Sequence, residues 1–492
     1  MLILLSIIFP ILSGIVLWHR NTRSGQNGHA LYGAAIIITD VLAVLTMFFG
    51  KPVTLFSLSP KVTFSFSLDV MGKWFLFVSM VLYTCCLFYS FIYMKVQERE
   101  PTFYAFYFVS FGALIAVCCA ANMVTIYFAF ELTTLSTVPL VLHEQTQAAV
   151  AAGLKFLFYS IGGALLGLFG VFFLYTYAGA EVSFVPGGVL DLTKTAGHEP
   201  ILYLAIFLGV IGYGTKAGLF PMHGWLPTAH PIAPAPASAL LSGIITKSGV
   251  LVVIRFIYYS IGTSFIRGTW VQYTWLTLAM ISILTGSMMA FQEKDLKKRL
   301  AYSSISQISY AMLGLALLTQ NGLEGSLLQV MQHAPSKACL FLCAGAFIYR
   351  YGLKDVRQMK GIGKKMPIVL WCLTIAAMSL AGIPPMGGFI SKWNLVSASL
   401  NTGLGAISVI GPIVLLISAL LTAGYLFPIT INGFFPGKGA EEEITDPRPE
   451  EGKGSIEAVP RMMWIPLICL CAVALIVGIF GGSLIELFKG IV

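Results

Sequence analysis

Charge is scarce in this sequence. Of its 492 residues, only 10% are charged, whereas 57% are hydrophobic and the mean hydropathy is +0.85. A soluble domain of this length needs more charged residues to cover its surface, so the composition excludes an ordinary soluble protein. The net charge of +9 does not indicate nucleic-acid binding, because most Lys and Arg residues lie in the loops between apolar segments.

Cofactor motifs are also missing. The sequence has no glycine-rich phosphate loop, no haem-attachment motif and no iron–sulfur spacing. Its nine cysteines fall in apolar segments, and Cys339 and Cys343 have no third or fourth ligand in view, so we interpret them as small buried side chains. The sequence therefore predicts no cofactor, no metal site and no redox centre within this chain.

Long apolar segments make up most of the chain. Runs of about 20 apolar residues recur from end to end, and each is long enough to cross a bilayer as a helix. The runs are continuous and do not alternate, which excludes membrane strands. We count fourteen predicted spans, among them 300–319, 324–349 and 367–398. The predicted fold class is an all-α polytopic membrane protein.

The loop charges predict an orientation. Loops after odd-numbered spans carry most of the basic residues, as in segments 294–299 and 350–365. The positive-inside rule places these loops in the cytoplasm and both termini outside. The predicted location is the cell (inner or cytoplasmic) membrane, with contact to the lipid bilayer.

Two predicted spans contain similar interruptions. "AGLFPMHGW" (217–225) breaks span seven and "AGIPPMGGF" (381–389) breaks span twelve, and the two share five of nine residues. Spans five apart run in opposite directions, which is typical of inverted repeats with broken helices at a mid-membrane site. The predicted parts are N-terminal helices (1–95), a first five-helix unit (104–260), a second five-helix unit (270–434), a cytoplasmic linker (435–462) and a last helix (463–488).

Several ionisable residues lie inside predicted spans. Each costs at least about 2.5–3.5 kcal/mol at the centre of a membrane helix, so several together indicate a function. The candidates for a polar path are Glu131, Lys216, Lys247, His333, Lys337 and Lys392.

These residues also have structural interpretations. Glu131 and the lysines could form static ion pairs between helices, and His333 could be a hydrogen-bonded core residue. Lys155 and Arg255 lie near span ends, where their side chains can reach the interface. A row of titratable groups distributed over several spans favours a proton path over a coincidence of static pairs.

The sequence resembles the large antiporter-like membrane subunits shared by respiratory complex I, Mrp-type cation/proton antiporters, and membrane-bound nickel–iron hydrogenases or formate hydrogenlyases. The matching stretches occur in order across residues 130–393 and are specific in combination. They are "FEL" with Glu131, "GYGTKAGLFPMHGWLPTAHPIAPAPASALLSGIITKSG", "DLKKRLAYSSISQISY", "QHAPSKACLFLCAG" and "AGIPPMGGFISKW".

The resemblance implies a proton-translocating module with a hydrophilic axis at mid-membrane depth. Glu131 and Lys216 match the paired acid and lysine of the first half-channel, and Lys247 and His333 match the connecting groups. Lys392 matches the terminal residue of the second half-channel, which in this family is Lys or Glu. This sequence departs from the pattern at Pro335, which lies between His333 and Lys337 and could kink the connecting path.

We therefore expect a proton-translocating subunit, with or without Na⁺/H⁺ exchange, in a redox-driven or antiporter complex. A carboxylate about 4 Å from Lys216 would help the lysine retain its proton, and separating the pair would release it toward Lys247. The expected partners are other membrane subunits of a complex I-like, hydrogenase or Mrp-type assembly. The alternatives are an autonomous transporter of a polar solute and an enzyme with its own redox site.

Overall fold

The computed structural model describes residues 1–22, 26–179, 182–437 and 459–488, and this part of the chain is mostly helical. Most of the predicted linker (435–462) falls outside the described residues. The first six helices are α1 (Leu2–His19), α2 (Gln26–Phe49), α3 (Val70–Tyr93), α4 (Glu100–Cys119), α5 (Met123–Val141) and α6 (Gln147–Tyr177). A 3₁₀ turn, Met94–Val96, extends α3.

A short antiparallel hairpin that was not predicted joins α2 to α3. Its strands are β1 (Val53–Ser57) and β2 (Thr63–Phe66), and Val53 pairs with Phe66. The side chain of Asn122, at the start of α5, donates to the carbonyl of Thr63 at 2.9 Å and so attaches the hairpin to the helices.

The central helices surround the first break. They are α7 (Leu192–Thr195), α8 (Glu199–Ala217), α9 (Leu226–Ile232), α10 (Ala235–Leu240), α11 (Thr246–Ile254) and α12 (Thr263–Ile266). Two π-helical segments, Leu241–Ile245 and Arg255–Ile261, make 235–261 one continuous helix that is buried throughout. Such π segments widen a helix locally and often occur at functional sites.

The remaining helices surround the second break. They are α13 (Trp270–Gln292), α14 (Leu296–Ala316), α15 (Gln320–Tyr351), α16 (Ile362–Lys365), α17 (Pro367–Ala381), α18 (Gly387–Leu400), α19 (Ile407–Phe434), α20 (Arg461–Ile479) and α21 (Gly481–Phe488). A 3₁₀ turn, Val356–Met359, precedes α16. Pro335 lies inside α15, which continues past it as one helix.

Among the described residues, eleven helices are long and apolar enough to cross a membrane. This number is lower than the fourteen predicted spans for two reasons. Helices α14 and α15 cover predicted spans 300–319 and 324–349 but are more polar, and the predicted span 367–398 is divided into α17 and α18. The protein is thus a multi-pass membrane protein with a more polar interior than its outer helices.

The outer and inner helices differ in what they expose. Phe158 and Phe172 on α6 and Leu420 on α19 are 78%, 66% and 74% exposed. Large apolar side chains so exposed are suited to contact lipid. Helices α14 and α15, in contrast, are packed against each other and are buried along almost their full length.

Both breaks begin with the same backbone geometry. Helix α8 ends at Gly218 with φ of 79°, and α17 ends at Gly382 with φ of 88°. Each glycine N–H donates to the carbonyls three and four residues earlier. A left-handed glycine is the usual way to stop a helix, because side chains disfavour positive φ.

Candidate functional site

Lys216 lies in the last turn of α8 and is only 1% exposed. Its Nζ donates to the carbonyl oxygen of Phe130 at 2.9 Å and to Oγ1 of Thr133 at 2.8 Å, both on α5. The same nitrogen lies 3.7 Å from the centroid of the Phe130 ring, which adds a cation–π contact. The ammonium therefore has well-placed neutral partners inside the protein.

Glu131 is adjacent to these partners in sequence but does not form the expected ion pair. Within the part of the chain that the structure describes, no carboxylate oxygen lies within 4.0 Å of Lys216 Nζ, and Oε1 of Glu131 is buried without a hydrogen-bond partner. Successive side chains on a helix point about 100° apart, so Phe130 and Glu131 point in different directions from α5. Glu131 and Lys216 are within electrostatic range of each other but form no ion pair closer than 4.0 Å.

Lys247 follows the first π-helical segment and is fully buried. Its Nζ donates to the carbonyl of Ser242, five residues earlier. The hydroxyl of Ser242 lies 2.7 Å from the hydroxyl of Ser304 on α14, which in turn donates to the carbonyl of Leu300 at 2.9 Å. Hydrogen-bonding groups thus lead from Lys247 across to α14.

Lys337 also binds the carbonyl of Leu300. Its Nζ donates to the oxygen of Leu300 at 2.9 Å and to Oγ of Ser303 at 2.5 Å. This arrangement repeats that of Lys216: a carbonyl, and a hydroxyl three residues later on a neighbouring helix, bind the ammonium. Lys247 and Lys337 are therefore joined through Ser242, Ser304 and Leu300.

His333 lies one helical turn before Lys337 and is 1% exposed. Its Nε2 is buried without a hydrogen-bond partner among the described residues. Lys247, Lys337 and Lys392 are all within electrostatic range of its ring. The structure thus brings His333 within electrostatic range of both the central lysines and the lysine of the second break.

Lys392 lies on α18 and binds the end of α17. Its Nζ donates to the carbonyls of Leu380 and Ala381, at 2.5 and 2.9 Å, and lies 5.3 Å from the Tyr310 ring centroid. These carbonyls have no helical N–H partner, because the chain turns at Gly382. A cation at a helix C-terminus is also favoured by the helix dipole.

A chain of amides and hydroxyls beside Lys392 was not predicted. Gln329 donates to Oε1 of Gln307 at 3.1 Å and accepts from Gln332 at 2.9 Å and from Ser391 at 2.7 Å. Ser379 donates to Gln332 at 3.1 Å. The sequence feature that could have indicated this network is the low hydropathy of segments 300–319 and 324–349. Polar side chains on a buried helix must form hydrogen bonds inside the protein.

His230 was also not assigned a role from the sequence. It is fully buried in α9, stacks on Phe341 with ring centroids 4.9 Å apart, and neither ring nitrogen has a hydrogen-bond partner among the described residues. Lys247, Lys297 and Lys337 are within electrostatic range of the ring. The feature of the sequence that could have pointed to His230 is segment 213–250, which contains two histidines among apolar residues.

Arg255, which was expected to reach the interface, forms an ion pair instead. It is 2% exposed, and its two terminal nitrogens each donate to a carboxylate oxygen of Asp69 at 2.6 Å. Burial raises the pKa of Asp69, but the hydrogen bonds and charge of Arg255 and the N–H of Gly72 outweigh this effect and leave the pKa below its usual value. Lys155 is exposed and donates to Oγ1 of Thr228 at 3.0 Å.

Three cysteines of α15 and α20 lie close together. Cys339 lies 4.0 Å from Cys343 and 3.5 Å from Cys471, measured between sulfurs. No group of three or more His, Cys, Asp or Glu residues among the described residues has a geometry that could hold a metal ion.

The outer helices are apolar, and a row of buried lysines lies inside the bundle. This arrangement defines an integral membrane protein with titratable groups in its interior. The family described as "NADH:quinone oxidoreductase/Mrp antiporter, TM" matches residues 120–418, which is more than half of the chain. The chain belongs to this family.

Its relatives include members of two kinds of complex. NADH-quinone oxidoreductase subunit N of Desulforudis audaxviator is 32% identical over 396 residues, covering 80% of this chain and 77% of that protein. A Na(+)/H(+) antiporter subunit of Alkalihalophilus pseudofirmus is 27% identical over 489 residues, covering 97% and 93%. A chain of the Mrp complex from Dietzia sp. has the same fold, with a TM-score of 0.80 at 23% identity over 99% of this chain and 96% of that one.

Proposed function

We propose that this chain is a proton-translocating subunit of a multisubunit redox-driven or antiporter complex. The observation that carries the proposal is the bonding of Lys216, Lys247, Lys337 and Lys392, here called the lysine row. Each ammonium is bound by carbonyl or hydroxyl oxygens, and no carboxylate lies within 4.0 Å of any of them among the described residues. The partners are those of a carrier and not those of a static ion pair.

The path begins at Lys216 and is controlled by Glu131. If Glu131 turns toward Lys216, the attraction of the two charges favours the protonated amine, and as Glu131 turns away the proton is released. Glu131 has an unbonded buried oxygen, so no hydrogen bond at that atom opposes this movement. The proton passes to Lys247 through water.

The second part of the path runs through α14 and α15. The hydroxyls of Ser242 and Ser304 lie between Lys247 and Lys337 and, with water, carry the proton, while the Ser242 and Leu300 carbonyls only hold the two ammonium groups. His333 is within electrostatic range of Lys337 and Lys392 and continues the path. A neutral imidazole has one donor and one acceptor nitrogen, so it can take a proton on one side and release it on the other. The energy for the cycle comes from partner subunits, because the path itself only moves protons.

We also propose the finer architecture. Helices α14 and α15, together with the broken helix α17–α18, complete fourteen spans, and residues 104–260 and 270–434 form two inverted units. The matching glycine ends of α8 and α17 support this symmetry. About 21 residues of helix are enough to cross the hydrocarbon layer, so α14 can span despite its polarity.

The proposed location is the cytoplasmic membrane with both termini outside. Lys294 is exposed between α13 and α14, on the side that the loop charges place in the cytoplasm. A Lys294→Cys variant, in a background without the native cysteines, should react with an impermeant thiol reagent only in inverted vesicles. Reaction in intact cells would reverse the proposed orientation.

The proposed function is tested by Lys247→Ala in the complex purified from native membranes and reconstituted into vesicles. Proton uptake, driven by the natural electron donor or by a cation gradient, should be lost while the complex stays assembled. Lys155→Ala is the matched control, because this lysine is exposed and lies outside the row, and it should pump normally. Full pumping by Lys247→Ala would reject the path, and transport of a polar solute by the isolated chain would favour an autonomous transporter.

A further inference from the structure

A large cavity lies at one end of the bundle, where the loop after α15 meets α19. It has a volume of about 950 Å³ and is formed by the loop after α15 together with the ends of α13, α14 and α19. We call it the basic vestibule and define it by Arg299, Asp355, Arg357, Lys360, Gly424 and Pro428. Ligand pockets in proteins occupy about 300–1,000 Å³, so the vestibule has the size of a binding site.

The walls of the vestibule are connected to one another. Leu296 donates its N–H to the carbonyl of Lys354 at 2.8 Å, and Val356 donates to the carbonyl of Lys294 at 3.0 Å. These two bonds join the α13–α14 loop to the loop after α15. Gly361 N–H donates to the carbonyl of Asn432 at 3.0 Å and attaches that loop to α19. The vestibule is therefore a formed site and not a gap between separate loops.

Positive charge predominates in the vestibule. Three of its lining residues are cationic and one, Asp355, is acidic; Arg357 neutralises Asp355 through an ion pair of 2.5 Å. Arg299 is 8% exposed and donates Nε to the carbonyl of Glu293 at 2.7 Å and a terminal nitrogen to the carbonyl of Tyr425 at 2.8 Å. No carboxylate lies within 4.0 Å of Arg299 or Lys360 among the described residues, so both charges are available to an anion.

One wall of the vestibule is apolar and continues along the outside of the bundle. Phe291 is 51% exposed and covers Gly424, where an added Cβ would lie 3.0 Å from the Phe291 ring. Farther along the same two helices, Met288 on α13 and Leu420 on α19 are 53% and 74% exposed. A ligand that binds both surfaces must have an anionic head and an apolar tail.

A polar acceptor lies between the charged and apolar surfaces. Pro428 lacks an N–H, so the carbonyl of Gly424, four residues earlier on α19, loses its helical partner. This oxygen can accept a hydrogen bond from a hydroxyl. A phosphodiester with a glycerol headgroup supplies both the anionic oxygens for the cations and a hydroxyl for the carbonyl.

We propose that the basic vestibule binds an anionic phospholipid of the phosphatidylglycerol or cardiolipin class. The phosphate contacts Arg299 and Lys360 while Arg357 compensates the charge of Asp355, the headgroup hydroxyl contacts the Gly424 carbonyl, and an acyl chain lies along α13 and α19. Basic pockets between membrane helices on the cytoplasmic side suit such headgroups. The vestibule includes Arg299, the residue before the Leu300 that binds Lys337, and lipid binding there requires no change in the proposed proton path.

The test uses the intact complex, delipidated in detergent and then titrated with phosphatidylglycerol or phosphatidylcholine. Phosphatidylglycerol should bind and raise the melting temperature, and phosphatidylcholine should not. The double variant Arg357→Gln/Lys360→Gln should bind phosphatidylglycerol about 30-fold more weakly, because it removes the Lys360 contact and leaves the charge of Asp355 uncompensated, and each unit of charge near a membrane surface is worth about 1 kcal/mol. The matched control, Lys51→Gln/Lys194→Gln, removes two exposed charges elsewhere and should bind like the wild type.

The same measurements distinguish an anionic phospholipid from other occupants of the basic vestibule. Equal binding of both lipids, or full binding by the vestibule double variant, would reject the proposal. An equal rise in melting temperature with glycerol 3-phosphate would assign the vestibule to a small anion. A Gln358→Cys thiol that is protected from maleimide in the assembled complex, with and without added lipid, would assign it to a partner subunit. Protection that appears only with phosphatidylglycerol would support the lipid site.

Discussion

The broken helix α8–α9 carries its lysine before the break, whereas α17–α18 carries its lysine after the break. Lys216 therefore points away from the carbonyls at the end of its own helix and binds α5, which also carries Glu131. Lys392 points back to the end of α17 and binds two carbonyls there. The same interruption thus produces two kinds of cation site, one on the helix next to that of an unbonded carboxylate oxygen and one bound by backbone carbonyls.

Because of this difference, we expect Lys216 to serve in controlled proton release and Lys392 in proton retention. A carboxylate that turns can raise or lower the proton affinity of Lys216 during a cycle. Carbonyl groups at a helix end cannot change their charge, so the direct partners of Lys392 stay the same unless the break itself moves. We therefore expect the first half to respond to the driving force and the second half to depend on the geometry of its break.

The largest effect is expected at Lys216. Lys216→Ala should lower proton pumping by about 100-fold, because removal of a proton carrier costs at least what removal of a general acid or base costs. Glu131→Gln retains the lysine and should give a smaller loss. Pumping in vesicles and assembly on native gels are the measurements. If Glu131→Gln pumps as well as the wild type, control by the carboxylate is wrong.

The second site should tolerate a different titratable group. Lys392→Leu, which cannot bind a proton, should lose pumping, whereas Lys392→Glu should retain a measurable part of it. The retained rate should be well below that of the wild type, because a carboxylate facing two carbonyl oxygens must be protonated or move away. Proton uptake by the reconstituted complex is measured for both variants. Unchanged uptake by the Leu variant would place Lys392 outside the path.

The two breaks should also differ in how tightly they are packed. A Cβ added at Gly388 would lie 1.7 Å from the carbonyl of Ser379, whereas a Cβ at the equivalent Gly224 would lie 3.0 Å from the Tyr159 hydroxyl. Gly388→Ala should therefore destabilise the protein by about 2–3 kcal/mol and Gly224→Ala by less than half of that. Thermal unfolding of the purified complex measures both. Equal losses would contradict the difference in packing.

A smaller effect than that of Gly388→Ala is expected at the ion pair of Arg255, which is a static reference for the lysine row. Asp69→Asn should lower stability by about 1–2 kcal/mol at neutral pH, because Asp69 is half-buried and Arg255 is left without its carboxylate. The pKa of Asp69 is lowered on folding, so this stabilisation is present above the usual pKa of an Asp and is lost as the pH falls through the lowered value. The wild type and variant should differ equally from pH 7 to about pH 5.

The membrane class and both breaks could be predicted from the sequence because each depends on local signals. Apolar runs determine membrane insertion, and Gly218 and Gly382 stop their helices by their own conformational preference. The six predicted polar residues could be selected because a charge inside an apolar run is costly wherever it points. Their roles in transport stay a prediction.

The partners of those residues could not be predicted. Lys216 was expected beside Glu131, but which of two adjacent side chains faces a lysine depends on the rotation of α5, and apolar composition does not determine that rotation. The Gln329 and Gln332 network was missed for a related reason. Polar residues in α14 and α15 lowered the apolar signal of these helices without showing that they bind one another.

The polarity of α14 and α15 has a consequence for how the chain enters the membrane. A helix that exposes Gln307 and several serines to hydrocarbon is poorly retained when it leaves the translocon alone. Ser304 and Ser306 have partners in earlier segments, but Gln307 finds its partners only on α15 and α19, which are synthesised later. Helix α14 therefore depends on segments that do not yet exist when it is made, and biogenesis must protect it until the C-terminal third of the chain arrives.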